Sequence, residues 1–291
     1  MNTQTRHSLA AALVWISALA LFWNSLGWLA AAAFTRDQLG HAALVLIFGL
    51  VLILRDRRSP RPVFRFERIG LGFLLAACLL AAAAGFFHNT VPVILGMGAL
   101  AGAALLFIRG DAVWPTATGL AFAFSGLTVL AVFIPVADWP LRLLAGQLAA
   151  WMLALLGSPG SLVLAGTPPK LLLFHGERAF EVAPECNGFG IIGGCILLAT
   201  LMAFSRRLSL PAKVASLVLA PVIGLFSNAL RIIIIVLLAP LAKGHYFLMH
   251  EIVGTALFVG TLALLWKMVT RLPGSKRFRE PSPDQTNSAI S

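Results

Sequence analysis

Three reactive side chains stand at the edges of apolar runs in this sequence. Cys186 lies in Pro184-Glu185-Cys186-Asn187-Gly188, Arg231 closes Asn228-Ala229-Leu230-Arg231, and His250 opens His250-Glu251-Ile252-Val253-Gly254. A thiol with an imidazole is a nucleophile and base pair, because the thiolate is the attacking species. Histidine exchanges its proton near neutral pH, so it can take the thiol proton and later protonate a leaving group. A fixed guanidinium supplies positive charge where an oxyanion develops. Together the three imply acyl transfer through a thioester. Each alone has a plainer reading. A Cys near a helix end packs as a small apolar residue, an Arg snorkels to an interface, and a His sits at one. Cys78 and Cys195 lie inside apolar runs and read as core. His245 competes with His250, while His41, His88 and His175 read as ordinary extracytoplasmic residues.

The elements that must bring these groups to one level are membrane helices. Of 291 residues, 59% are hydrophobic and 11% charged, where a soluble domain has roughly a quarter charged. Apolar runs of about 20 residues, enough to cross a bilayer, recur along the chain. The fold class is therefore an all-α polytopic membrane protein. About eight transmembrane helices are expected, near 9–34, 39–54, 69–87, 90–108, 113–137, 186–204, 214–239 and 251–270. Asp138-Trp139-Pro140 closes the fifth. Residues 141–156 are apolar but carry Arg142 and Gln147, and read as a re-entrant or interfacial helix broken by Gly157-Ser158-Pro159-Gly160. Residues 161–183 alternate short apolar runs with Gly, Pro and charge, the pattern of a small extracytoplasmic strand hairpin. Residues 1–272 read as a single integral membrane domain with its reactive part at about 140–270, and the polar tail 273–291 as disordered. The length of the first apolar run argues against a cleaved signal peptide. Three cysteines build no disulfide framework.

Charge sets the expected orientation. With eight spans and both termini cytoplasmic, the inner side holds Arg6, Arg55, Arg57, Arg58, Arg61, Arg65, Arg68, Arg109, Arg206, Arg207, Lys213, Lys267, Arg271, Lys276, Arg277 and Arg279. The remaining Lys and Arg are Arg36, Arg142, Lys170, Arg178, Arg231 and Lys243. This asymmetry follows the positive-inside rule for the cell inner membrane. It puts 139–185 outside, with Cys186 at the outer start of the sixth span, where free helix N–H groups would stabilise a thiolate. Arg231 lies about 17 residues up its helix, roughly 26 Å from the inner end at 1.5 Å per residue. His250 reaches the same level from the eighth span. Asn228, at i−3, shares the Arg231 face and can orient the guanidinium. Glu251 neighbours His250 but points about 100° away on a helix, which suits a substrate or lipid contact better than an orienter.

Cys-x-Gly at 186–188, Asn-x-x-Arg at 228–231 and His-x-x-x-Gly at 250–254, in this order at successive spans, resemble the exosortase/archaeosortase family. The resemblance covers roughly 140–270. It implies a membrane-embedded sorting cysteine peptidase or transpeptidase. By that resemblance Cys186 is the nucleophile, Arg231 the electrostatic stabiliser and His250 the acid and base, with Asn228 and Gly188 in support. Its implied partners are the lipid bilayer and secreted proteins ending in a short motif (Pro-Glu-Pro in the bacterial branch), a transmembrane helix and a basic cluster. The acceptor is water or a lipid or glycan amine. The common family form flanks the Cys with Ala and Ser, where this chain has Glu185 and Asn187. Two other classes fit the composition: a transporter or flippase whose Arg231 binds an anionic headgroup, with the Gly-rich span 94–102 packing closely or moving, and an inactive scaffold. No metal-ligand cluster, nucleotide loop or nucleic-acid motif stands out, so no cofactor, metal or nucleic acid is expected.

Overall fold

The computed structural model describes residues 3–56, 67–167, 169–242 and 244–274. Among them the chain is mostly helical: α1 Thr3–Thr35, α2 Asp37–Asp56, α3 Arg68–Phe87, α4 Thr90–Arg109, α5 Trp114–Leu155, α6 Phe189–Ser205, α7 Leu210–Leu238 and α8 Tyr246–Thr270. Between α5 and α6 lie three strands, β1 Gly160–Ala165, β2 Lys170–His175 and β3 Arg178–Glu181. Six stretches are long and apolar enough to cross a membrane, one in each helix except α2 and α6. Leu39–Arg55 and Phe189–Ser205 are apolar but shorter. Residues 275–291 of the expected tail 273–291, and the Arg57, Arg58, Arg61 and Arg65 loop, lie outside the described residues.

Helix α6 is the axis of the bundle. It packs against α2, α5, α7 and α8, and most of its residues, from Phe189 to Ser205, are buried. A helix apolar all round belongs in an interior. Helices α3 and α4 form a tight hairpin. His88 takes the left-handed conformation at φ 49°, and the Asn89 side chain accepts the Val91 N–H at 2.8 Å to start α4. Helix α4 then packs on α5 through small residues. A Cβ on Gly102 would lie 2.7 Å from the Phe73 ring and 3.0 Å from the Ala117 carbonyl. The Gly-rich 94–102 stretch is thus used for close packing.

Helix α5 departs most from the sequence expectation. It runs unbroken for 42 residues through Pro135 and Pro140. At 1.5 Å per residue it is about 63 Å long, twice the roughly 30 Å hydrocarbon layer. Residues 141–156 are therefore neither re-entrant nor a separate interfacial helix; residues up to Leu155 are the far half of α5. Proline removes the N–H that the carbonyl four residues earlier would accept. For Pro135 that carbonyl belongs to Ala131, and Arg36 Nη1 donates to it instead at 3.1 Å. Past Pro140 the helix is tied by the Asp138–Arg142 ion pair, at i,i+4 spacing.

The far half of α5 carries the sheet. The strands form an antiparallel β1-β2-β3 sheet, with Leu162 opposite Leu173 and Leu173 opposite Phe180. The expected hairpin thus has a third strand, β3, where Arg178-Ala179-Phe180-Glu181 continues after the Gly176-Glu177 turn. The fold is accordingly helical with a small sheet. Ala145, Ala149 and Leu153 of α5 pack with Leu171 and Leu173 of β2, and with Ala229, Ile232, Ile233 and Val236 of α7. This second core is separate from the main one, and Cys186 is buried in it.

Candidate active site

The nucleophile candidate sits on a short, tightly held turn. Pro184–Cys186 forms one turn of 3-10 helix, and proline suits its first position because its φ is preset. Cys186 therefore precedes α6, whereas the sequence suggests that it opens that helix. The Cys186 N–H donates to Ala183 O at 2.8 Å. Gly188 follows with φ +76°, and a Cβ there would lie 2.6 Å from Asn228 Cγ. Only glycine meets both conditions cheaply. Asn228, fully buried, donates through Nδ2 to the Cys186 carbonyl at 2.8 Å. Asn187 is also buried, at 1% exposure. Its Oδ1 accepts the Phe189 N–H at 2.8 Å and its Nδ2 donates to Asp138 Oδ1 at 2.6 Å. Asn187 thus occupies one of the free N–H groups that start α6.

Three helices then close on one atom. Cys186 Sγ lies 3.8 Å from His250 Nε2, within hydrogen-bond reach for sulfur. Arg231 Nη2 lies 3.4 Å from the same Nε2. His250 Nδ1 is 3.7 Å from Glu251 Oε1, so the flexible glutamate reaches back further than the helical angle between neighbours suggests. The tautomer protonated at Nδ1 leaves Nε2 as acceptor toward Cys186 and Arg231. Gly254, one turn after His250, makes room for the guanidinium: a Cβ there would be 2.9 Å from Arg231 Nη2. The His-x-x-x-Gly spacing therefore has a steric cause. Tyr246 stacks at a tilt one turn before His250, with centroids 6.2 Å apart.

A cavity of about 600 Å³ opens beside these groups, lined among others by Arg36, Asp138, Asn187, Arg231, His250 and Glu251. Its size is that of a small-ligand site. Cys186 is 9% exposed, next to the lining residues Pro184, Asn187 and Gly188.

The other candidates fall elsewhere. Cys195 is fully buried in α6 and Cys78 half-buried on α3. His245 precedes α8 and is exposed. His88 ends α3, and His175 lies 3.4 Å from Ser158 Oγ. His41 lines the cavity edge-on to Phe258. Sequence reasoning passed over Asp138 and Arg36. The Asp138-x-x-x-Arg142 spacing was the available signal for the first. Arg36 carried none beyond being a cation next to an apolar run. Among the described residues no cluster of His, Cys, Asp and Glu could hold a metal.

The family model described as transmembrane exosortase matches residues 23–267, most of the chain. The chain belongs to the transmembrane exosortase family. As an exosortase it is a multi-pass membrane protein and, broadly, a sorting enzyme, which implies a lipid bilayer and secreted protein substrates. No curated protein and no solved structure matches the chain.

Proposed function

We propose that this exosortase cleaves the C-terminal sorting signal of secreted proteins through a Cys186 thioester. The observation that carries the reading is the convergence of Cys186 Sγ and Arg231 Nη2 on His250 Nε2, at 3.8 and 3.4 Å. The chain crosses the inner membrane eight times within one domain over 1–272, with both termini cytoplasmic and the site on the outer face. The substrate carries a short motif, a transmembrane helix and a basic cluster that stays in the cytoplasm.

His250 Nε2 takes the thiol proton as the sulfur attacks the scissile carbonyl. The tetrahedral oxyanion forms against the Arg231 guanidinium. As the C–N bond breaks, the imidazolium returns its proton to the leaving amine, and the acyl group stays on Cys186. Water or an amine then attacks the thioester, giving its proton to His250, and the thiolate leaves and is reprotonated. Asn228 and Gly188 keep the nucleophile turn in place.

Co-expression with a protein carrying such a tail, followed by intact-mass spectrometry, tests this. Wild type removes the tail and Cys186→Ala leaves it. Equal processing by both would end the thioester reading, whereas a transporter has no need of the thiol.

A further inference from the structure

Arg36 is a second guanidinium on the cavity wall that holds Arg231 and His250. It sits at the corner between α1 and α2. There its carbonyl accepts the Leu39 and Gly40 N–H groups at 2.9 and 3.1 Å. Gly40 packs so closely on α1 that a Cβ would lie 2.9 Å from the Ala33 carbonyl. The side chain therefore leaves from a fixed corner. Its Nη1 bond to Ala131 O uses one of five guanidinium N–H donors.

The remaining charges among the described wall residues are engaged. Arg231 faces His250, Asp138 holds Arg142 and Asn187, and Glu251 lies beside His250. No described carboxylate oxygen lies within ion-pair distance of Arg36. A half-buried cation without a counter-ion is costly, and binding an anion offsets that cost.

We propose that Arg36 is a recognition subsite for a carboxylate side chain in the peptide segment that Cys186 attacks. The proposal rests on the sorting-peptidase reading. Subsite and reacting centre share one cavity of about 600 Å³, a size that houses a few residues of peptide. A lipid phosphate on Arg36 would compete with the scissile segment for that space.

The test uses the full chain in phosphatidylcholine vesicles. Its substrate is a tail-bearing protein cleaved in a Cys186-dependent way, with each acidic residue ahead of its transmembrane helix changed in turn to Gln or Lys. At one position, wild type slows about tenfold or more on the Gln substrate. Arg36→Gln slows as much on the acidic substrate and loses nothing further on the Gln one, because the two changes remove a single contact. Arg36→Glu recovers rate on the Lys substrate. Losses that multiply would overturn the subsite, as would an Arg36→Gln enzyme as fast as wild type on the acidic substrate. An Arg36 effect seen only when phosphatidylglycerol is added assigns the guanidinium to lipid and also overturns it. Labelling of Cys186 by a thiol probe at the wild-type rate shows that Arg36→Gln is folded. If labelling is lost, Arg36→Lys carries the test and must keep the preference for the acidic substrate. Wild type and Cys186→Ala cleaving alike would remove the peptidase reading, and the subsite with it.

Discussion

The side-chain amide of Asn228 donates to the Cys186 carbonyl at 2.8 Å, tying α7 to the Pro184–Cys186 turn. Both groups are buried, so the bond has no water to replace it. Three residues on, Arg231 leaves the same face of α7. One helix thus positions the backbone of Cys186 and the cation beside His250. Asn228→Ala leaves a buried carbonyl unpaired, at a cost of about 1–3 kcal/mol. The expected outcome is a lower midpoint of thermal unfolding in detergent and a loss of cleavage larger than the stability loss explains. Wild-type cleavage by Asn228→Ala would mean that the turn holds without α7.

Gly188→Ala meets two obstacles, the +76° φ and the Asn228 side chain. A left-handed residue costs roughly 1–2 kcal/mol for an L side chain, and the 2.6 Å approach to Asn228 Cγ adds to it. Combining Gly188→Ala with Asn228→Ala removes the contacts to Cγ and Nδ2, but leaves the one to the Asn228 Cβ at 2.8 Å and the φ. The pair is therefore expected to be less destabilised than the two single losses summed. Strict additivity in thermal unfolding would show that the clash is absorbed elsewhere.

Asn187 and Asp138 form a part-buried hydrogen bond at 2.6 Å that fastens the other side of the turn to α5. Asp138→Asn and Asn187→Asp are each expected to slow cleavage and to change the rate at which a thiol probe labels Cys186. The exchange of both residues restores a carboxamide and a carboxylate to the pair, though Arg142 then loses its carboxylate at 138. Partial recovery of cleavage is expected. A double variant no better than the worse single one would remove the pair from any positioning role.

The candidate groups were legible because polar atoms in apolar runs are conspicuous. Arg231 ahead of four isoleucines, and the Cys and His motifs at run edges, could be assigned to one level from helical rise alone. The course of α5 was not legible. Pro140 reads as a stop, and the donor that stabilises the Pro135 region comes from Arg36, 95 residues away in sequence. No local pattern carries that information. Strand β3 escaped for a related reason: it is four residues long and gains its pairing only from β2. The closeness of Glu251 to His250 depends on a flexible side chain bending back, which backbone periodicity does not report.

Gly254 separates catalysis from stability. In the middle of a helix, alanine is favoured over glycine by up to about 1 kcal/mol, so Gly254→Ala is not expected to weaken α8. Its Cβ would, however, lie 2.9 Å from Arg231 Nη2 and 3.1 Å from Cζ. The guanidinium must shift from that position, and with it the 3.4 Å contact to His250 Nε2. The expected result is an unchanged thermal midpoint with cleavage reduced by up to roughly 10²–10³-fold, the scale of losing one oxyanion donor. Because the proposed mechanism has Arg231 meet the oxyanion only in the transition state, kcat is expected to fall with KM little changed. Full activity in Gly254→Ala would mean that the Arg231 head need not lie against α8, and would weaken its assignment as the oxyanion stabiliser.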